Sequence, residues 1–330
     1  MNDDLEHGGA LDRLRHRFPD APQPWLDLST GINPWPYPHT DCSPSVFKHL
    51  PRQEEFAVCR EAMAQAFNAP IDNLLVAPGS ELLIRLLPTV LRPRTVAVLD
   101  PSYGDHGKAW RAAGVAVTDC ANPLDSATDA DVLVLCNPNN PDGQQFDPDA
   151  LDALRARLAR RGAWLIVDEA YADLNEAQSC APLAGSGGLI VLRSFGKFYG
   201  LAGLRLGALL APSAILQAMA DRLGVWPVSG PALAIGARAY SDRAWQVQTR
   251  QRLPAAAAAL DAVLFEAGHP ACGGTALFRY LHCPDAHALW ERLARAGIYT
   301  RRFAWSREHL RIGLPGSDAA LARLAAAFRV

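Results

Sequence analysis

The chain is poor in the features that mark several function classes. No apolar run among its 330 residues reaches membrane-spanning length, which argues against a membrane protein. A net charge of −2 leaves no electrostatic case for nucleic acid or an anionic lipid surface as partner. The seven cysteines are odd in number and lack paired short spacings, so no disulfide framework is expected. The nine histidines are scattered and join no cysteine at metal-ligand spacing, so no metal is expected either. Cys136 closes an apolar run and reads as a buried, inert thiol. The opening residues MNDDLEHGG are acidic and polar, unlike a secretory signal, and point to the reducing cytoplasm. The arginine-rich stretch LDALRARLARRG, 151–162, has helical spacing and reads as a solvated helix face, not a basic binding patch.

What is present is apolar residues, 49% of the chain, enough for a large core and more than one lobe. Short apolar runs recur at 73–78, 95–101, 115–120, 132–138, 163–170, 189–195 and 204–211. Between them lie stretches of helical spacing such as SELLIRLLPTVL and DPDALDALRARLARRG. Strands apolar throughout and separated by helices predict an α/β fold, with a seven-stranded, mostly parallel sheet covered on both faces. After about residue 222 the texture changes to alanine-rich helices and the strand candidates ALFRYLHC and HLRIGLP, a smaller α+β lobe. The expected division is a large domain at 43–222, with residues 1–42 grouped with 223–330. The first forty residues, rich in proline and turn formers, are expected to run along the surface of the larger lobe.

In parallel sheets ligands bind at the carboxyl ends of the strands. Here four of those ends carry chemically capable residues. LIVDEAY places Asp168 at a strand end with Tyr171 close behind, and VLCNPNNPDG ends a strand in a rigid asparagine–proline turn holding Asn140. LRSFGK ends one in Ser194 and Lys197, with Arg205 following. LVAPGSELLIRLL ends one in Gly79 and Ser80 at a helix start, where free N–H groups of Ser80 and Glu81 suit an anion. Taken singly each has an ordinary reading. Asp168 could be a helix cap, the asparagines plain turn residues, and Lys197 a solvated loop charge.

Together and in this order, NPNNPDG, DEAY and SFGKFYGLAGLRLG resemble the fold-type I pyridoxal 5'-phosphate enzymes, the aspartate aminotransferase superfamily, from about residue 25 to the C-terminus. The resemblance implies that Lys197 forms a Schiff base with the aldehyde cofactor. It also implies that Asp168 pairs with the pyridine nitrogen and keeps it protonated, making the ring an electron sink. Tyr171 and Asn140 would hydrogen-bond the ring's 3-oxygen, and Tyr103, in DPSYGDH, would stack on the ring. Gly79, Ser80, Glu81, Ser194 and Arg205 would form the phosphate cradle.

The substrate side narrows the resemblance. Arg311, in HLRIGLP, matches the arginine that reads a substrate carboxylate in this superfamily, and Arg301, in GIYTRRF, matches one that holds substrate phosphate in histidinol-phosphate aminotransferases. The sequence leaves open whether Arg301 or Arg302 faces the site. The start, His7-Gly8-Gly9 followed by WLDLSTGINPWPYP, is similar to cobalamin-pathway L-threonine-O-3-phosphate decarboxylases. There His7, Gly8, Gly9 and the turn Gly31-Ile32-Asn33 would line the substrate-phosphate site, since successive glycines expose backbone N–H groups. The implied activity is decarboxylation of a small phosphorylated amino acid by a homodimer. A histidinol-phosphate-type aminotransferase is the alternative, because the cofactor motifs are common to both reactions.

Overall fold

A computed structural model describes residues 8–125 and 129–329, which fall into two compact units. Of the described residues, the larger comprises those within 36–140 and 144–246, the smaller those at 8–35, 141–143 and 247–329.

The larger unit is built on the seven-stranded sheet: β1 (Leu74–Ala77), β2 (Thr95–Leu99), β3 (Ala116–Cys120), β4 (Val132–Cys136), β5 (Trp164–Asp168), β6 (Leu189–Ser194) and β7 (Gly207–Leu210). The spatial order is β1–β7–β6–β5–β4–β2–β3. From β3 to β6 all pairings are parallel, while β7 runs antiparallel between β6 and β1. Because β7 is reversed, its first residue lies at the edge where its neighbours end, and Gly207 is registered with both Ala77 and Ser194. Every residue of β4 is buried, so the sheet is covered on both faces. One face, with Val132, Val134, Ile166, Ile190 and Leu209, packs against Leu83 and Leu87 of α2 (Ser80–Leu91), Trp110 of α3 (Asp105–Ala112) and Met219 of the later helix Ser213–Leu223. Each such side chain contributes about 1.5–3 kcal/mol by leaving water.

Local signals explain where the elements begin and end. Asp147 caps the helix Pro148–Ala159 by accepting from the N–H groups of Asp149 and Ala150, with proline at its first position. Three strands stop two residues short of the apolar runs at 95–101, 132–138 and 163–170. Pro101 and Pro138 have no N–H to give a neighbouring strand, and the N–H of Ala170 goes to Asp168 Oδ1 at 3.1 Å. The run at 204–211 begins its strand only at Gly207. Ala202–Leu204 is a 3-10 turn and Arg205 sits in the left-handed region at φ 52°, which breaks the extended chain. The larger unit also reaches residue 246, beyond the expected 222. The helix Gly230–Ser241 lies on α1 (Gln53–Ala66) so closely that a Cβ on Gly236 would stand 3.3 Å from Cys59 Sγ and 2.3 Å from Leu206 Cδ2.

The smaller unit carries an antiparallel sheet of β8 (Ala271–Thr275), β9 (Phe278–His282), β10 (Arg301–Phe303) and β11 (Ser306–Gly313), in the order β10–β11–β9–β8. Helices Leu11–Arg17, Ala286–Arg295 and Asp318–Phe328 also belong to this α+β unit, together with the helix Arg243–Glu266 from Val247 onward. The expectation that the first forty residues skirt the larger lobe is corrected, because residues 8–35 belong to the smaller unit. Leu26–Asp27 pairs in parallel with Ile298–Tyr299, and the Gly313 N–H donates to the Leu28 carbonyl at 2.8 Å. Trp25, Leu28 and Ser29 are buried, which a surface strip would not be.

Candidate active site

The carboxyl edge of the large sheet opens into a cavity of about 730 Å³. Its lining comes from five strand ends. After β1, the backbone of Gly79 turns at φ 87° and α2 starts at Ser80, placing Ser80 and Glu81 on the rim. A Cβ on Gly79 would lie 3.0 Å from Arg205 Nη2, so both the positive φ and the approach of the guanidinium require glycine. Gly207 is equally constrained, since its Cβ would stand 2.5 Å from the Arg193 carbonyl and 3.1 Å from the Ser80 nitrogen. Ser194, Lys197 and Arg205 complete this side of the cavity. The turn carrying Lys197 is tight: a Cβ on Gly196 would meet Ala202 Cα at 2.6 Å. Lys197 is only partly buried, and its Nζ lies 5.9 Å from the centre of the Tyr171 ring.

The asparagine–proline turn divides its labour. Asn137 is fully buried and holds Phe146 from both directions, accepting from its N–H at 2.9 Å and donating to its carbonyl at 3.0 Å. Asn139 is also buried; it accepts from Ser102 Oγ at 2.7 Å and donates to the Pro101 carbonyl at 2.9 Å. Asn140 alone of the three asparagines lines the cavity, beside Pro138.

Asp168 forms part of the floor, 4% exposed. Its Oδ2 lies 2.9 Å from Nε2 of His106, a residue of α3 that the sequence reading did not single out. Burial pulls the His106 pKa down, but hydrogen bonds to Asp168 and Cys136 outweigh this and push it up to about 10. The imidazole is therefore cationic at neutral pH and compensates the buried carboxylate. His106, Cys136 and Asp168 are also the one trio of potential metal ligands among the described residues, their ligand atoms within 4.8 Å of one another. One histidine thus meets a cysteine in space, a juxtaposition with no signature in spacing. Tyr103 donates from its hydroxyl to Glu81 Oε2 at 3.2 Å and packs edge-on to His106, and burial raises its phenol pKa.

Behind the floor lies a buried ion cluster that was also missed. Arg193 Nη1 donates to Glu169 Oε2 at 3.0 Å, Nη2 donates to Asp173, and the guanidinium lies 4.1 Å from the Phe67 ring centre. Burial would depress the arginine pKa, but Asp173 and Glu169 hold it above its ordinary value. Glu169 directly follows Asp168 and Arg193 directly precedes Ser194, so the cluster ties two cavity-lining strand ends together.

The expected substrate residues lie in the smaller unit, apart from Asn140. Antiparallel register pairs Arg301 with Arg311 and Arg302 with Leu310, which puts Arg301 and Arg311 on one face and Arg302 on the other. Arg302 covers the buried Trp290, 4.5 Å from its ring centre, whereas Arg301 packs by Phe303. Arg311, 6% exposed, donates from Nη2 to the Ser29 carbonyl at 2.9 Å. Gly31 is buried and Ile32 half-buried, while Asn33 accepts from the Trp35 N–H through Oδ1. The amide of Gly9, read from sequence as an exposed anion donor, instead donates to Ser29 Oγ at 2.8 Å. Gly8 is partly buried, and His7 lies outside the described residues.

The family model described as aminotransferase class I and II matches residues 44–328. The chain belongs to that family. Among its relatives, the threonine-phosphate decarboxylase of Pseudomonas aeruginosa is 44% identical over 98% of this chain and 97% of its own length. A threonine-phosphate decarboxylase from a Sinorhizobium species is 39% identical over 98% of both chains. In fold, the histidinol-phosphate aminotransferase of Clostridium acetobutylicum superposes with a TM-score of 0.82 at 17% identity, covering 92% of this chain and 98% of that one.

Proposed function

We propose that this class I and II aminotransferase-family chain uses pyridoxal 5'-phosphate to decarboxylate L-threonine O-3-phosphate. The product is (R)-1-aminopropan-2-ol O-phosphate, a precursor in cobalamin biosynthesis. The observation that carries this reading is the likeness to a threonine-phosphate decarboxylase along nearly the full length of both chains, the N-terminal segment included.

The cavity fits the cofactor group by group. A ring nitrogen needs a carboxylate, and Asp168 stands at the floor with His106 fixing its orientation. A ring oxygen needs donors, which Tyr171 and Asn140 supply from the cavity wall. A phosphate needs N–H and cationic groups where no side chain intrudes; the start of α2 at Ser80, Ser194, Arg205 and the bare Cα of Gly79 meet that need. An aldehyde needs a primary amine, and among the described residues Lys197 is the only lysine lining the cavity. Tyr103 offers an aromatic face.

When bound, the cofactor accepts the electron pair released as the substrate carboxylate departs as carbon dioxide. Asp168, its carboxyl group held by His106 Nε2 at 2.9 Å, would face the ring nitrogen. Lys197 Nζ would hold the cofactor through its aldehyde carbon and, as a free protonated amine when substrate is bound, would donate a proton to the substrate Cα. Arg311 grips the amino-acid carboxylate and Arg301 the phosphate, each by charge-assisted hydrogen bonds.

In this reading the active form is a homodimer in the reducing cytoplasm. Supporting the dimer, the larger unit exposes Phe47, Leu50, Val58, Val225 and Trp226, each more than half accessible, which is costly apolar surface for a lone subunit. All seven cysteines are free thiols, in keeping with a reducing compartment. Among the described residues no helix is long and apolar enough to cross a membrane.

The test is carbon dioxide release from L-threonine O-3-phosphate by protein reconstituted with pyridoxal 5'-phosphate. Steady release without any 2-oxo acid is expected. The Lys197→Ala variant, folded by circular dichroism, should lose roughly three orders of magnitude or more. Amino-group transfer from histidinol phosphate in place of release would make the chain an aminotransferase.

A further inference from the structure

Ser29 was assigned no role by its residue type, yet it is fully buried and makes four polar contacts that join separate parts of the smaller unit. Its hydroxyl donates to Asp27 Oδ1 at 2.6 Å and accepts from the Gly9 N–H at 2.8 Å. Its own N–H donates to the same Asp27 oxygen at 2.9 Å, and its carbonyl accepts from Arg311 Nη2 at 2.9 Å. The approach of the N-terminal segment is so close that a Cβ on Gly8 would lie 2.6 Å from the Ser29 carbonyl oxygen. Gly9 needs its own lack of side chain for another reason, a φ of 85°. Gly8 is thus explained by packing on Ser29, and Gly9 by its backbone conformation.

We propose that Ser29 is a positioning residue: one peptide unit and one hydroxyl clasp the N-terminal glycine segment to the arginine that reads the substrate carboxylate. The inference rests on the substrate reading above for what Arg311 binds, but the clasp itself stands on geometry within the smaller unit. The carbonyl that orients Arg311 belongs to the residue whose side chain holds Gly9. Displacing the segment therefore turns the guanidinium, and a well-seated segment fixes it. Asp27 sets the hydroxyl direction, leaving the oxygen lone pairs for the Gly9 amide.

The test compares Ser29→Ala with wild-type holoenzyme on two readouts. Hydrogen exchange should show the Gly9 amide protected in wild type and exchanging faster in Ser29→Ala. KM for L-threonine O-3-phosphate should rise about three- to tenfold, the span of one or two lost hydrogen bonds, with kcat within about twofold. Asp27→Asn keeps the accepting oxygen and should retain Gly9 protection, while Gly8→Ala should imitate Ser29→Ala by collision. Unchanged Gly9 exchange in Ser29→Ala would overturn the clasp. Faster exchange with an unaltered KM would reduce Ser29 to a structural residue and overturn its positioning role. If wild type releases no carbon dioxide from this substrate, the proposed function fails, and Gly9 exchange alone then decides the clasp.

Discussion

The two units hold their charged side chains by opposite means. In the larger unit, the polar groups hang from consecutive strand ends, and short motifs deliver each of them. Lys197 is three residues from Ser194, and Tyr171 three from Asp168. In the smaller unit, Arg311 is oriented by a carbonyl 282 positions away in the chain. The first arrangement is built into the sheet, since parallel strands all end on one side and the reversed β7 starts there. The second exists only after distant segments have docked. Under the proposed function this contrast is a division of tasks, with the chemistry set on a sheet edge and recognition set on a face assembled from distant segments of the chain.

The strongest test of that sheet edge is the buried cluster behind the floor. Arg193→Met removes the cation while leaving Glu169 and Asp173 buried, and should destabilise the protein by about 3–5 kcal/mol in urea unfolding. A loss below about 1 kcal/mol would show that the strand ends do not depend on this cluster, and the contrast between the units would weaken.

A smaller effect separates recognition from packing in the two adjacent arginines. Arg301→Ala should raise KM for the phosphorylated substrate about tenfold or more, the loss of charge-assisted hydrogen bonds, with kcat little changed. Arg302→Ala should leave KM alone and cost about 0.5–2 kcal/mol of stability through its lost contact with Trp290. Steady-state kinetics and thermal melts on both variants check this. The reverse pattern would mean that the register of β10 and β11 is not the one that meets substrate.

The gentlest probe is pH. The His106 pKa is raised from 6.5 to about 10, so the folded protein binds this proton more tightly than the unfolded chain does. Its contribution to stability is therefore fully present below pH 6.5 and is lost as pH rises through about 10. On protein stripped of cofactor, the difference in melting temperature between wild type and His106→Gln should narrow across that window. A difference that widens toward alkaline pH would mean the imidazole is neutral in the floor.

Much of this protein was determined by its sequence alone. Fully apolar runs separated by helical stretches leave a covered, mostly parallel sheet as the arrangement that buries them, and such a sheet gathers its strand ends at one edge. Residues at those ends were therefore legible as a group from local motifs. The asparagine–proline turn of NPNNPDG was legible too, whereas the strand end at Leu99, ahead of Pro101, was not, since the run at 95–101 was expected to be strand throughout. Only the tertiary structure decided which of Arg301 and Arg302 shares a face with Arg311. In a strand, a shift of one residue reverses every side chain, and register is a property of the paired strands. It likewise decided that His106 backs Asp168, that Arg193 and Glu169 bind their two strands, and that Ser29 holds Gly9. Those contacts join residues brought close by the packing of separate elements, and spacing along one chain carries no trace of which pairs will meet.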